Sequence, residues 1–226
     1  MSSYPELAAS CGIALPPLLA RLIDAGLAGY GPDVKAWVAN WKAHTLAAQP
    51  VLSCVYDLEW IPASEAAENI EEWLNPVFQQ GRRFLPFAQT GAGDLYCLMP
   101  LANGDIGVAL AWHDSGDCEI QAASFDAFIY GSLVRSAADI SHLIDGDFTV
   151  AEAALCLASN IDALSKYLPE PHSLELERIR ALALSRAQAG EATLISQDTA
   201  QAALALLPVV QDAPFELLAR WECGQA

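Results

Sequence analysis

Residues 84–99 read FLPFAQTGAGDLYCLM. A Pro-centred apolar stub, a Gly-Ala-Gly-Asp turn and an apolar run follow one another with no helical period. The pattern predicts two short strands joined by a tight turn. Three roles are open to the glycines: cradling a phosphate, supporting a catalytic Asp94, or letting the backbone turn. A dinucleotide fingerprint needs glycine at 96, where Tyr96 stands, and a helix afterwards, where a strand is expected. No P-loop lysine is present. The reading that remains gives Gly91 and Gly93 positive φ and lets Asp94 hydrogen-bond backbone amides, with ligand or partner contact as the alternative.

Working outward, LYCLMPL (95–101) leads to Asn103-Gly104, the strongest short hairpin signal. IGVALAWH (106–113) follows, then a turn at Asp114-Ser-Gly-Asp117, then CEIQAAS (118–124). The three runs predict an antiparallel meander, with FLPFA and a β-rich strand over 51–61 (VLSCVYDLEWI) as neighbours. Ser124 is an expected N-cap for a helix carrying Phe125, Phe128, Ile129 and Leu133.

Helical patterns flank this core. PPLLARLIDAG (16–26) has Pro in its first turn, Gly26 at its end, and Leu18, Leu19, Leu22 and Ile23 on one face. Residues 32–49 carry Val34, Trp37, Val38 and Trp41 at helical spacing, with Pro50 as a stop. A helix over about 62–79 buries Ile70, Trp73 and Leu74 and turns Glu65, Glu68 and Glu72 to water. The last ninety residues read as all helix: a capping box at Thr149–Glu152 opening a helix to Leu168, then 173–190, 197–207 and 214–222.

The chain has 226 residues, is 54% hydrophobic and carries a net charge of −17. Residues 43–134 hold twelve acids against Arg82 and Arg83, a net of −10. Six of those acids, Asp57, Glu59, Glu65, Glu68, Glu71 and Glu72, fall within 57–72. Such a field repels nucleic acid and attracts a basic partner. No apolar run approaches the roughly 18–20 residues of a membrane span. The N-terminus lacks the pattern of a signal peptide, so a cytoplasmic location is expected. The six cysteines lie at least 21 residues apart, with no metal-ligand spacing, and read as reduced, mostly buried thiols.

No nucleophile elbow and no HExxH motif occurs. His113-Asp114 is the one suggestive pair, but neighbours on a strand point to opposite faces. Asp114, Asp117 and Glu119 surround a glycine without the DxDxDG spacing of a calcium loop. Neither a catalytic residue, a cofactor nor a metal is therefore expected. Asp57, Glu59, Trp60, Glu65, Glu68, Glu72, Asp114, Asp117 and Glu119 are the candidate partner-binding residues, with a merely solvated acidic face as the alternative.

The ordered pieces resemble the SUKH superfamily, the Smi/Knr-type domain, over roughly residues 6–134. The resemblance is carried by Leu85-Pro86-Phe87-Ala88, by Gly91 to Leu98 with Gly93, Asp94 and Tyr96, and by Ser124, Phe125 and Phe128. It implies an α+β fold, a mixed or antiparallel sheet of about five to six strands backed by helices. A SUKH-like domain over 1–135 would be followed by an all-helical extension over 136–226. It also implies a non-catalytic immunity protein that binds a basic, nuclease-type toxin, or alternatively a regulatory scaffold without a toxin. An enzyme is the more distant alternative.

Overall fold

The computed structural model describes residues 3–210, 212 and 214–223. In chain order these form α1 (Tyr4–Cys11), α2 (Pro17–Asp24), α3 (Val34–Ala39), α4 (Trp41–Leu46), β1 (Glu59–Trp60) and α5 (Ala63–Glu72). Next come β2 (Leu85–Gln89), β3 (Leu95–Pro100), β4 (Ile106–Ala111) and β5 (Asp117–Ala122). They are followed by α6 (Phe125–Ala138), α7 (Ser141–Asp145) and α8 (Val150–Leu164). A 3₁₀ turn (Ser165–Tyr167), α9 (Glu170–Gln188), α10 (Gln197–Leu204), β6 (Phe215–Glu216) and a 3₁₀ turn (Arg220–Glu222) complete the series. The described residues group into two compact units, neither contiguous in sequence. One draws on 1–21, 57–128 and 209–226, the other on 22–56 and 129–208.

The first unit is α+β. Its sheet runs β1-β2-β3-β4-β5-β6, with every neighbouring pair antiparallel. Leu85, Pro86, Phe87 and Ala88 are all buried, as expected for a central strand covered on both faces. Pro86 lacks an N–H, and the β2–β3 register shifts between Pro86 and Ala88. Gly104 at φ +88 closes the β3–β4 hairpin. Ser124 caps α6 through its Oγ, which accepts from the Ala127 N–H at 3.1 Å. That cap fixes the first turn of α6, so Phe125 and Phe128 pack edge-on against Phe87 at 5.3 and 5.7 Å. Tyr96 joins the cluster 5.4 Å from Phe128.

The second unit is helical. Thr149 and Glu152 form the expected capping box of α8. The buried face of that helix is rich in small residues (Ala153, Ala154, Cys156, Ala158), which allows close approach of α9 and α4. Tyr130 is buried in α6, donates its hydroxyl to the Ala203 carbonyl at 2.9 Å and stacks on His172 at 4.2 Å.

Four expected elements differ. Of the strand over 51–61 only Glu59–Trp60 is extended; Leu52 and Asp57 take φ of 64° and 55°, which breaks the run into turns. Its apolar composition reflects the burial of Val51, Leu52 and Cys54 rather than extension. The helix over 32–49 is two short helices, because Asn40 at ψ 25° interrupts it and its side-chain amide donates to the Ala36 carbonyl. The helix over 62–79 stops at Glu72, ahead of Pro76; Trp73 and Leu74 are buried as expected but lie just past its end, Ala66 and Asn69 are buried within it, and Ile70 is only half-buried. Residues 214–222 are not a helix: Phe215 and Glu216 pair with Cys118 and Asp117 as β6. A nine-residue helix is marginal alone, whereas the free edge of β5 offers partners for the backbone.

Candidate protein-binding surface

The Gly-Ala-Gly-Asp turn is a latch. Gly93 takes φ +95, while Gly91 does not share the left-handed conformation expected of it. The Gly91 N–H instead donates to Asp57 Oδ1 at 2.6 Å. Asp94 is 5% exposed, and its carboxylate accepts from Thr90 Oγ1 at 3.2 Å and from the His113 N–H at 3.1 Å, with His113 Nδ1 at 2.8 Å. His113 is thus hydrogen-bonded to Asp94, nineteen residues away, and a carboxylate oxygen of its neighbour Asp114 lies within 4.8 Å of the ligand atoms of both, a grouping that could hold a metal ion. The pair ties the β2–β3 turn to the start of the β4–β5 connection.

Beside this latch lies an acidic cleft of about 400 Å³, lined in part by Glu65, Glu68, Glu72, Gln89 and Arg220. The three glutamates share a ridge of α5 because they recur at three- and four-residue spacing. Glu59 stands opposite Gln89 in the β1–β2 pair. Burial, then the charges of Glu68 and Glu59, push the Glu65 carboxyl above its ordinary value. Glu72 is held differently: Arg220 grips both its oxygens, Nε to Oε1 at 3.0 Å and Nη2 to Oε2 at 2.5 Å. The Arg220 N–H donates to the His113 carbonyl at 3.1 Å, so the same residue spans the cleft and the latch.

The structure therefore gathers Glu59, Glu65, Glu68 and Glu72. Asp114, Asp117 and Glu119 are exposed at the β4–β5 connection and on β5, further along the sheet order. Two candidates are corrected. Trp60 is 5% exposed and packs on Phe87 at 5.9 Å, because strand alternation turns it inward while Glu59 faces out. Asp57 is half-buried and committed to the Gly91 N–H. Leu85, Phe87, Phe125 and Phe128 are core, and Pro86, Gly91, Gly93, Asp94, Tyr96 and Ser124 shape the backbone or its cover. Local sequence gave no sign of Arg220, which lies 148 residues from its partner Glu72.

Burial also governs the thiols. Cys54 and Cys97 are raised well above the ordinary thiol value, Cys118 is pushed up to about 12 and Cys156 to about 11. They are protonated at neutral pH and act as small apolar fillers.

Residues 8–131, more than half the chain, match the SMI1/KNR4 family (SUKH-1). The chain belongs to this family. It is accordingly an immunity-protein-like or Smi/Knr-type module. The SMI1/KNR4 match takes in α2 through β5 and the opening of α6, and with them the latch and the glutamate ridge. The segment that supplies β6 and Arg220 lies outside it. No curated protein and no solved structure matches the chain. No helix among the described residues is long and apolar enough to cross a membrane.

Proposed function

We propose that this protein is a bacterial, cytoplasmic, non-catalytic immunity protein. It neutralises a basic toxin domain of nuclease type by docking it on the acidic cleft between α5 and β2. The observation that carries the reading is Glu65. It is half-buried, and its ionisation is opposed by burial and by Glu68 and Glu59. A cationic side chain entering the cleft relieves that repulsion, so the charge pattern favours a basic partner over an empty site. A nuclease must present lysine and arginine to phosphates, and an acidic, preformed face competes for that surface. The net charge of −17 adds long-range steering, which suits an inhibitor that must act before its target does.

The test is a search of the neighbouring genes for a secreted protein with a C-terminal toxin domain and co-expression with that domain, scored by survival and by recovery of a stable complex; neighbours without such a gene would count against the reading. Rapid-mixing kinetics with the triple variant Glu59→Lys, Glu65→Lys, Glu68→Lys then measure association. Loss of charge complementarity lowers the association rate constant by about tenfold or more at low salt and flattens its salt dependence. Unchanged kinetics would remove the cleft from the interface.

A further inference from the structure

Residues 214–222 form a strap on the first unit, fixed at several points. Phe215 and Glu216 pair with β5. The Leu217 N–H donates to the Gly116 carbonyl at 2.5 Å, and the Leu218 N–H to the buried Gln79 Oε1 at 2.9 Å. Between the strap, the β4–β5 connection and the stretch around Phe78 lies a groove of about 410 Å³. Its walls include Phe78 and Trp221, with Asp114, Glu216 and Glu222 as the charged lining. No lysine or arginine lines it among the described residues; Arg220 belongs to the other cleft, turned to Glu72. Trp221, in the 3₁₀ turn Arg220–Glu222, stands 63% exposed.

We infer that this groove seats an arginine side chain of a basic protein partner, with Trp221 as the aromatic anchor and Asp114, Glu216 and Glu222 as the charge. A planar guanidinium matches this wall on both counts: it stacks on an indole face and donates in a fork to carboxylates. A purely apolar segment would leave three acids desolvated without partners, and an acidic segment would be repelled. Tryptophan and arginine are both enriched among the few residues that carry most of the binding energy at interfaces. The inference rests on the reading of the protein as a binder of basic partners and adds a second contact to it. Glu216, Trp221 and Glu222 lie outside the family-matched residues, whereas Phe78 and Asp114 lie within them.

The experiment follows the ¹⁵N-indole resonances of the full chain by NMR, with Trp221 assigned through Trp221→Phe. The titrant is the capped tripeptide Gly-Arg-Gly, and the control is its citrulline counterpart, equal in shape and uncharged. The Trp221 resonance moves with the arginine peptide and not with citrulline. The Trp41 resonance, beside Lys42 and 41% exposed, stays in place. In the Asp114→Asn, Glu216→Gln, Glu222→Gln variant the Trp221 shift is lost. The inference is overturned if Trp221 does not move, if citrulline moves it equally, if Trp41 moves alongside it, or if the shift survives neutralisation of the three acids. Each result stands apart from the toxin co-expression outcome, which depends on the other cleft.

Discussion

Gln79 and Leu218, 139 residues apart, exchange two hydrogen bonds. Gln79 Nε2 donates to the Leu218 carbonyl at 3.0 Å, and the Leu218 N–H donates back to Gln79 Oε1 at 2.9 Å. The same Nε2 also donates to the Trp73 carbonyl at 2.7 Å, and the side chain is 1% exposed. One buried amide thus joins the end of α5 to the C-terminal strap, and it is satisfied on both sides.

Replacing Gln79 by alanine removes three hydrogen bonds, leaving the Leu218 N–H without its side-chain acceptor and the Trp73 and Leu218 carbonyls with only the weak Cys223 thiol contact. The expected loss is about 2–3 kcal/mol of unfolding free energy. Urea denaturation measures it. Near-ultraviolet circular dichroism of the strap tryptophan changes at the same time. A variant as stable as the parent would show that the strap is not held by this clamp.

The two glycines of the β2–β3 turn should respond differently. Gly93 sits at φ +95 with open space where a Cβ would go, so Gly93→Ala meets backbone strain alone and costs about 1–2 kcal/mol. Gly91 has no such conformation, and an added Cβ would lie 3.3 Å from Asp57 Oδ1. Asp57 must give by a few tenths of an ångström to admit that methyl group, so Gly91→Ala costs under about 1 kcal/mol, less than Gly93→Ala. Parallel thermal melts decide the order, and equal effects would contradict the roles assigned to these residues.

Glu65 sets a pH dependence of known sign. Its carboxyl is raised above the ordinary 4.5, so as pH falls the folded state takes up this proton before the unfolded state does. Its contribution to stability grows as pH drops through the raised value and levels off below 4.5. Glu65→Gln mimics the protonated form and stabilises the protein by a few tenths of a kcal/mol at pH 7, on the order of one relieved like-charge pair. At pH 3.5 the difference closes. Denaturant midpoints at the two pH values provide the check.

His142 works in the opposite direction. Burial holds it below the ordinary 6.5, with its hydrogen bond to the Cys54 carbonyl at 3.0 Å and the charges of Asp139 and Asp145 offsetting part of the shift. The unfolded state therefore binds the proton first as pH falls. Stability is complete above 6.5 and declines as pH drops through the lowered value. His142→Gln flattens stability between pH 7 and pH 5, measured by melting temperature across that range. A parent protein with no decline in that window would refute the assignment.

Much of the first unit was legible in the sequence. Asn103-Gly104, the Asp114–Asp117 turn and the apolar runs between them fix β3, β4 and β5, since hairpin turns and period-two patterns are local signals. Ser124 and Thr149 announced their helices for the same reason. The capping box of Ser3 and Glu6, which opens α1, is an equally local signal. The glutamate ridge was visible too, because helical spacing alone puts Glu65, Glu68 and Glu72 together.

What the sequence determined by itself, then, was the α+β class, the meander, the family and the sign of the charge. Each is written in residues close to one another along the chain. Tertiary structure alone decided that Trp60 points inward, that His113 serves Asp94, and that 51–57 turns instead of extending. It alone brought Arg220 to Glu72 and Trp221 to the groove beside Asp114. These outcomes depend on contacts between distant segments. A short stretch such as 214–222 has too little free energy of its own to fix its conformation, so the open edge of β5 and the buried amide of Gln79 fix it instead.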